Sequence, residues 1–187
     1  MHFTGRLRNW ASHERKSLRA QEQRRTDVAA QREAWCERIK QVDFRRPVFL
    51  GESGAKTNMT RLYGRSRKGQ QAVDYAPQGH WNTTTLVAAI TWDAPIAPMV
   101  LDGPMDASTF EAYVEQVVVR VLPPGVIVVM DNLPPYKAAP IARLLHTARA
   151  ALWYLPPYSP DFNPIEHMWS QIKADLRTAK ARTKQEL

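Results

Sequence analysis

Two acidic residues stand where a carboxylate can do chemistry. Asp131 closes the apolar run VIVVM at residues 126–130, which reads as a strand buried on both faces. The carboxyl edge of such a strand is where open α/β sheets bind ligands. Glu166 is third after Asn163 in the stretch NPIE. That places it in the first turn of a helix that Asn163 caps and Pro164 opens. The 34 residues between the two acids hold one helix and one strand, which carry the chain back and set the second carboxylate beside the first. Each acid alone has a plain structural explanation: Asp131 opens a turn before Asn132-Leu133-Pro134-Pro135, and Glu166 caps a helix. Together they are the hard oxygen ligands that Mg²⁺ prefers. In a basic chain, a carboxylate-held metal pair suits in-line attack on phosphodiesters, with the ions about 4 Å apart.

Other chemistries lack their residues. His2, His13, His80, His146 and His167 have no metal-ligand spacing, and one cysteine, Cys36, builds no zinc site. No glycine-rich phosphate loop is present, and Ser53 and Ser159 sit in no nucleophile-elbow context.

The elements that must position the two acids are read from periodicity. Asp27 caps a helix running to about residue 42, with Val28, Trp35, Ile39 and Val42 on one stripe. Residues 47–53 (PVFLGES) form a buried strand, residues 71–77 (QAVDYAP) alternate like a second, and residues 83–93 form a third. Short connections make these an antiparallel meander, which a small strand at 99–101 extends. Ser108 to Glu111 reads as a capping box. It opens a helix with Phe110, Val114, Val117, Val118 and Val121 at helical spacing. Then follow strand 126–130, a helix from Pro140 to about Arg149, strand 151–155, and a last helix from Pro164 whose inner stripe is Ile165, Trp169, Ile172 and Leu176. The order predicts an α/β fold: a mixed five-stranded sheet, antiparallel meander plus parallel β-α-β crossovers, flanked by helices.

Charge points to a polyanion. The chain has 187 residues and a net charge of +8. Residues 1–46 carry 12 Lys/Arg against 6 Asp/Glu, and the remainder 14 against 12. A basic arm ahead of a near-neutral domain suggests nucleic acid, although charge alone also fits a merely solvated surface. The apolar runs are too short to cross a bilayer, no apolar leader opens the chain, and the single cysteine fits a reducing compartment.

The segments VVMDNLPPYK and LPPYSPDFNPIEHMW, 34 residues apart between their acids, resemble the catalytic core of the mariner-like superfamily of DDE transposases, most closely its bacterial insertion-sequence branch. The resemblance continues through FLGESGAKTNMTRLYGR, GHWNTTTLVAAI, VLDGPMDASTFEAYVEQV and SLRAQEQRRTDVAAQREAW, from about residue 17 onward. It implies an RNase H-like fold and three acids holding two Mg²⁺ ions, for which Mn²⁺ substitutes. It also implies DNA partners (element ends and target), cleavage and strand transfer, a possible homodimer, and a bacterial cytoplasmic, nucleoid-associated location. Asp131 matches the second acid and Glu166 the third. The first belongs in a pattern Phe-Leu-Asp-Glu, where this chain has Phe49-Leu50-Gly51-Glu52.

Gly51 offers no ligand. Glu52 is a possible substitute, but alternation along a strand turns it to the other face unless a bulge intervenes. The resemblance therefore implies a catalytic domain impaired in this copy, with Gly51→Asp expected to restore Mg²⁺-dependent cleavage. Tyr136 stands where many relatives carry His, and Lys137 remains to touch a phosphate. Lys56, Arg61, Arg65, Arg67, Lys68, Lys173 and Arg177, with Lys180, Arg182 and Lys184, are candidate DNA-backbone contacts. Two domains are expected: a basic arm and helix over 1–46, a remnant or linker without the relatives' helix-turn-helix module, and a C-terminally short catalytic domain over 47–187. Such a chain suits a fragment, a degraded copy or the second frame of a two-frame element. The alternatives are a non-catalytic DNA-binding or inhibitory fragment and, with SPDFNPIE against it, another RNase H-like nuclease.

Overall fold

The computed structural model describes residues 20–61, 63–75, 81–132, 139–183 and 185–187. Among them five strands form one sheet in the order β3-β2-β1-β4-β5. These are β1 (Pro47–Lys56), β2 (Thr83–Ile90), β3 (Pro95–Asp102), β4 (Ile127–Met130) and β5 (Ala151–Tyr154). β1, β2 and β3 pair antiparallel, while β4 lies parallel to both β1 and β5. This is the mixed sheet expected from the alternation of elements.

β4 owes its central place to composition. All four of its residues are buried, and Val128 and Val129 expose nothing. Removing such a side chain from water contributes roughly 1.5–3 kcal/mol. One face of the sheet carries Val48, Leu50, Val87, Val128 and Met130. It packs against α2 (Ala107–Tyr113) and α4 (Ala139–Thr147) through Phe110, Tyr113, Ile141 and Leu145. The other face is covered by α1 (Thr26–Lys40), through Trp35, and by α5 (Ile165–Ala179), through Ile165 and Trp169. Gly51 pairs across with Ala88, which belongs to the α5 side, and Glu52 with Val87, which belongs to the α2 side.

Several sequence expectations change. Residues 71–75 form no strand, and 76–77 lie outside the described residues. β1 pairs directly with β2 from Phe49–Ile90 to Lys56–Thr83, so the alternating segment that joins them in sequence does not come between them in the sheet. The small strand at 99–101 is instead a full edge strand, Pro95–Asp102. Asp27 does not cap α1. It sits inside the first turn, its carboxylate accepting from Arg25 at 2.8 Å. Asp106, not Ser108, caps α2, accepting from the Thr109 backbone N–H at 2.8 Å. The Asp106 carboxylate, three residues ahead of Thr109, reaches that amide, and the Ser108 hydroxyl is taken up donating to the same carboxylate. After Tyr113 the helix widens into a π turn, Val114–Val118, and ends in α3 (Val119–Val121). Val114 and Val118 stay buried there while Val121 is exposed.

The edge strand β3 slips register between the partners of Val87 and Ala89. At that bulge Ala97 takes φ 53°, a conformation costly for a residue with a Cβ. Its carbonyl accepts from the buried Tyr113 hydroxyl at 2.7 Å, and burial pushes the Tyr113 phenol pKa upward. Tyr113→Phe should leave that carbonyl unpaired and cost about 1–2 kcal/mol. A urea midpoint lowered at unchanged slope is the expected reading.

Candidate active site

β1 and β4 are paired only over Pro47–Phe49 and Ile127–Val129. Two residues further along each strand, Gly51 stands level with Asp131, at the point where the ladder has ended. A wedge opens there at the carboxyl edge. β5 returns beside β4, with Tyr154 opposite Met130. The chain then runs through Pro156 and Pro157 and a short 3-10 turn, Pro160–Phe162, into α5. Asn163 is extended and nearly fully buried. Its carbonyl accepts from Glu166 N at 3.1 Å, and its Oδ1 lies 3.4 Å from Ile165 N. The Asn-Pro-Ile-Glu stretch thus builds the helix start that fixes Glu166.

Asp131 and Glu166 are brought within electrostatic reach of each other. Burial pushes the Glu166 carboxyl above its ordinary pKa, repulsion from Asp131 adds to the rise, and Lys173 offsets part of it. Burial is also the main cause that raises Asp131. The Asn163 side chain pulls it back and the Glu52 carboxylate pushes it further up. Asn163 Nδ2 nonetheless makes no hydrogen bond of good geometry among the described residues. The two carboxyls therefore hold protons more tightly in the folded protein than in the unfolded chain.

Glu52 contributes repulsion, but its register gives it the opposite face of the sheet from Gly51. Its Oε2 is buried without a hydrogen-bond partner among the described residues. Among the described residues, no three His, Cys, Asp or Glu side chains group closely enough to hold a metal ion. The Gly51 position carries a further sign. A Cβ built there would lie 3.6 Å from Asn163 Nδ2 and 3.6 Å from Trp169 Nε1. Both nitrogens are buried with no hydrogen-bond partner among the described residues. Two N–H donors converging where a ligand oxygen is needed offer a cation nothing. The residues present do not fit a pair of bound Mg²⁺ ions.

A cleft of about 520 Å³ opens at Asp131, lined by Asn132, Pro157 and Ser159 among others. It shares Asn132 and Pro156 with a second, of about 580 Å³, walled by Gln31, Trp35 and Arg38 of α1. The predicted basic residues divide into two groups. Lys56, Arg61, Arg65, Arg67 and Lys68 are exposed, and Arg61 and Arg65 border a cleft of about 900 Å³ with Tyr63 and Lys180. Lys173 and Arg177 are half-buried on α5. Lys180 is ion-paired with Asp74 at 2.9 Å. Arg182 is not a free surface cation, because it donates to the backbone carbonyls of Met59 at 2.7 Å and Thr57 at 3.3 Å. Tyr136, Lys137 and Lys184 lie outside the described residues.

The family profile of the DDE superfamily endonuclease matches residues 46–187. The chain belongs to this family. Among curated proteins, the Transposable element Tcb1 transposase of Caenorhabditis briggsae is 37% identical over 51 residues, 27% of this chain and 19% of that protein. Among solved structures, the Mos1 transposase paired-end complex with left transposon end superposes with a TM-score of 0.68 at 18% identity. That match covers 91% of this chain and 55% of the Mos1 chain. The mariner Mos1 paired-end complex with Mg gives 0.63 at 19% identity, over 92% and 60%. A further Mos1 paired-end complex was solved with Mn. At these identities the likeness shows a shared RNase H-like fold. The chain spans about half the length of the Mos1 chains and a fifth of the curated relative.

Sequence reasoning missed Arg32, whose guanidinium binds the loop before Glu166. The signal was present, since Val28, Arg32, Trp35 and Ile39 share one helical stripe, and a lone cation in an apolar stripe must find an acid.

Two expected outcomes follow from this geometry. A Cβ at residue 51 would lie 2.8 Å from Ile165 Cγ2, and Ile165 is fully buried. Gly51→Asp alone should cost about 1–3 kcal/mol through overpacking. Adding Ile165→Leu, which removes the β-branch, should recover most of that loss and admit the carboxylate to the two waiting N–H donors. Urea unfolding reads the stability, and Mn²⁺ titration with a strand-cleavage assay reads the site. Cleavage by the single variant at the rate of the double would show that Ile165 is no obstacle.

The second concerns pH. Raised folded-state pKa values mean that stability grows as pH falls through them toward the ordinary values of 3.8 for Asp131 and 4.5 for Glu166. Glu166→Gln should therefore be more stable than the parent at neutral pH and gain less in that window. A midpoint series from pH 7 to about 4 checks this, and a variant less stable at neutral pH would refute the sign.

Proposed function

We propose that the chain is the catalytic core of a DNA transposase that acts on transposon ends and target DNA, and that its strand cleavage is crippled at Gly51. The observation carrying this reading is the convergence of Asp131 and Glu166 at the open carboxyl edge, level with a residue that has no side chain. Membership of the endonuclease family supports DNA as the substrate. So do the Mos1 chains of the same fold, which are described as paired-end and strand-transfer complexes. In this chain Asp131 and Glu166 would be the functional carboxylates. Lys56, Arg61, Arg65, Arg67, Lys68, Lys137, Lys173 and Arg177 would neutralise backbone phosphates. Two copies would pair to hold two ends.

Within the family we assign the chain to the bacterial insertion-sequence branch on its SPDFNPIE motif, and so to a cytoplasmic, nucleoid-associated location. The curated match is a nematode protein. No helix among the described residues is long and apolar enough to cross a membrane. Residues 1–46 form the arm and 47–187 the domain in this proposal. Mg²⁺ or Mn²⁺ would be the cofactor of an intact site, and Mos1 complexes with each exist.

The second reading is a non-catalytic DNA-binding partner of an intact transposase, favoured by Gly51 at the place of the first acid and by the absence of a three-ligand group among the described residues. A gel shift and a nicking assay on DNA carrying a terminal inverted repeat, with Mg²⁺ present, separate the two. Binding with slow, Glu166-dependent nicking supports an impaired enzyme. Binding with no nicking, even in the Gly51→Asp/Ile165→Leu double variant, supports the partner. Absence of DNA binding sinks both. Arg61→Ala and Arg65→Ala should each lower the slope of log K against log salt by about one phosphate's worth. Arg182→Ala should leave it unchanged, because that side chain is occupied by backbone carbonyls.

A further inference from the structure

α1 lies wholly outside the segment that the family profile matches, yet it holds the loop that carries Glu166. Arg32 Nη1 donates to Ser159 Oγ at 2.6 Å and to Asp161 Oδ1 at 3.0 Å. Its Nη2 donates to Asp161 Oδ2 at 2.7 Å. The guanidinium carbon stands 4.1 Å from the centroid of the Phe162 ring. Ser159 in turn donates to the Pro157 carbonyl at 3.0 Å, and Gln23, just ahead of α1, donates to the Tyr158 carbonyl at 2.6 Å. Arg32 is 14% exposed, and the Asp161 carboxylate raises its pKa.

Two backbone bonds hold the loop from within, Phe162 N to the Ser159 carbonyl at 3.1 Å and Asn163 N to the Pro160 carbonyl at 3.0 Å. Pro156, Pro157 and Pro160 have no backbone N–H to give, and Tyr158 takes φ 54°. Within residues 157–162, all but Pro160 are gripped by Gln23 or Arg32, directly or through Ser159. The loop ends at Asn163, whose carbonyl holds Glu166 N. We infer that Arg32 is a positioning residue: by fixing residues 157–163 it fixes the start of α5, and with it where the Glu166 carboxylate stands relative to Asp131. The planar fork is required, because a two-point bond to a carboxylate combined with stacking on a ring is not available to lysine. The role rests on the reading of Asp131 and Glu166 as the functional pair.

The test is amide hydrogen exchange on the full chain, without DNA or metal. Arg32→Ala and Asp161→Asn should each speed exchange at Phe162, Asn163, Glu166 and His167 by roughly tenfold or more, as loss of a charge-assisted pair implies. The double variant should add little to Arg32→Ala. Arg32→Lys should fall between Arg32→Ala and the parent. Ile127 and Ala151, bonded to Arg46 and Val126 within the sheet, should exchange as in the parent. Parental exchange at Glu166 and His167 in Arg32→Ala overturns the proposal. Equal acceleration at Ile127 and Ala151 does too, since it would mean that Arg32 merely stabilises the fold. If Arg32→Ala does not fold, Asp161→Asn cuts the same fork from the loop side and decides on the same amides. Failure here leaves the transposase reading standing, and failure of DNA binding leaves the clamp standing.

Discussion

Two like charges held side by side, half out of water, are the constraint around which this molecule is arranged. Left to themselves, Asp131 and Glu166 would separate into solvent, since their proximity and burial both disfavour ionisation. They stay together because each is fixed by something stiffer than a side chain. Asp131 is held by the end of a strand buried on both faces, and Glu166 by the first turn of a helix whose Ile165 and Trp169 are locked into the sheet. Glu52, from the other face, adds to the repulsion on Asp131. Burying two carboxyls near each other costs stability, so this edge is where the fold departs most from what stability alone would favour.

The two faces of the sheet do different work. α2 and α4 bury the wider apolar surface, with Phe110, Tyr113 and Leu145 almost fully enclosed, and they supply the crossovers that keep β4 and β5 parallel. The opposite face is split between α1 and α5, and the wedge between β1 and β4 opens toward α5. The helix of the N-terminal region, α1, is part of this second layer. Trp35 packs edge-on to Trp153 with ring centroids 5.9 Å apart, and Arg38 lies 3.5 Å over the same ring.

The convergence of Asp131 and Glu166 was legible because it follows from period and count. A continuous apolar run sets β4, one helix and one strand fill the interval, and Asn163-Pro164 sets the start of α5. The failures share a cause as well. Residues 71–75 alternate in hydropathy, but a strand is defined by its neighbour, and periodicity does not reveal that β1 and β2 already occupy each other. The cap of α2 was misplaced because Asp106 and Ser108 are both good caps, and only the backbone decides which reaches the amide. The converging N–H groups of Asn163 and Trp169 could not be read at all. They sit six residues apart in sequence and meet only across from Gly51.

The register Lys56–Thr83 has a consequence for the segment between those residues. It leaves the sheet and re-enters it at directly opposed positions, so its two ends are one strand spacing apart whatever the path in between. Closing such a loop costs little more for a long chain than for a short one, about 0.6 kcal/mol for each doubling of length. Chain closure therefore sets little limit on the length of what lies between them. What ties this segment to the core is the end of α5, where Arg182 holds the Thr57 and Met59 carbonyls and Lys180 holds Asp74, so changes that spare those contacts leave the register of β1 alone.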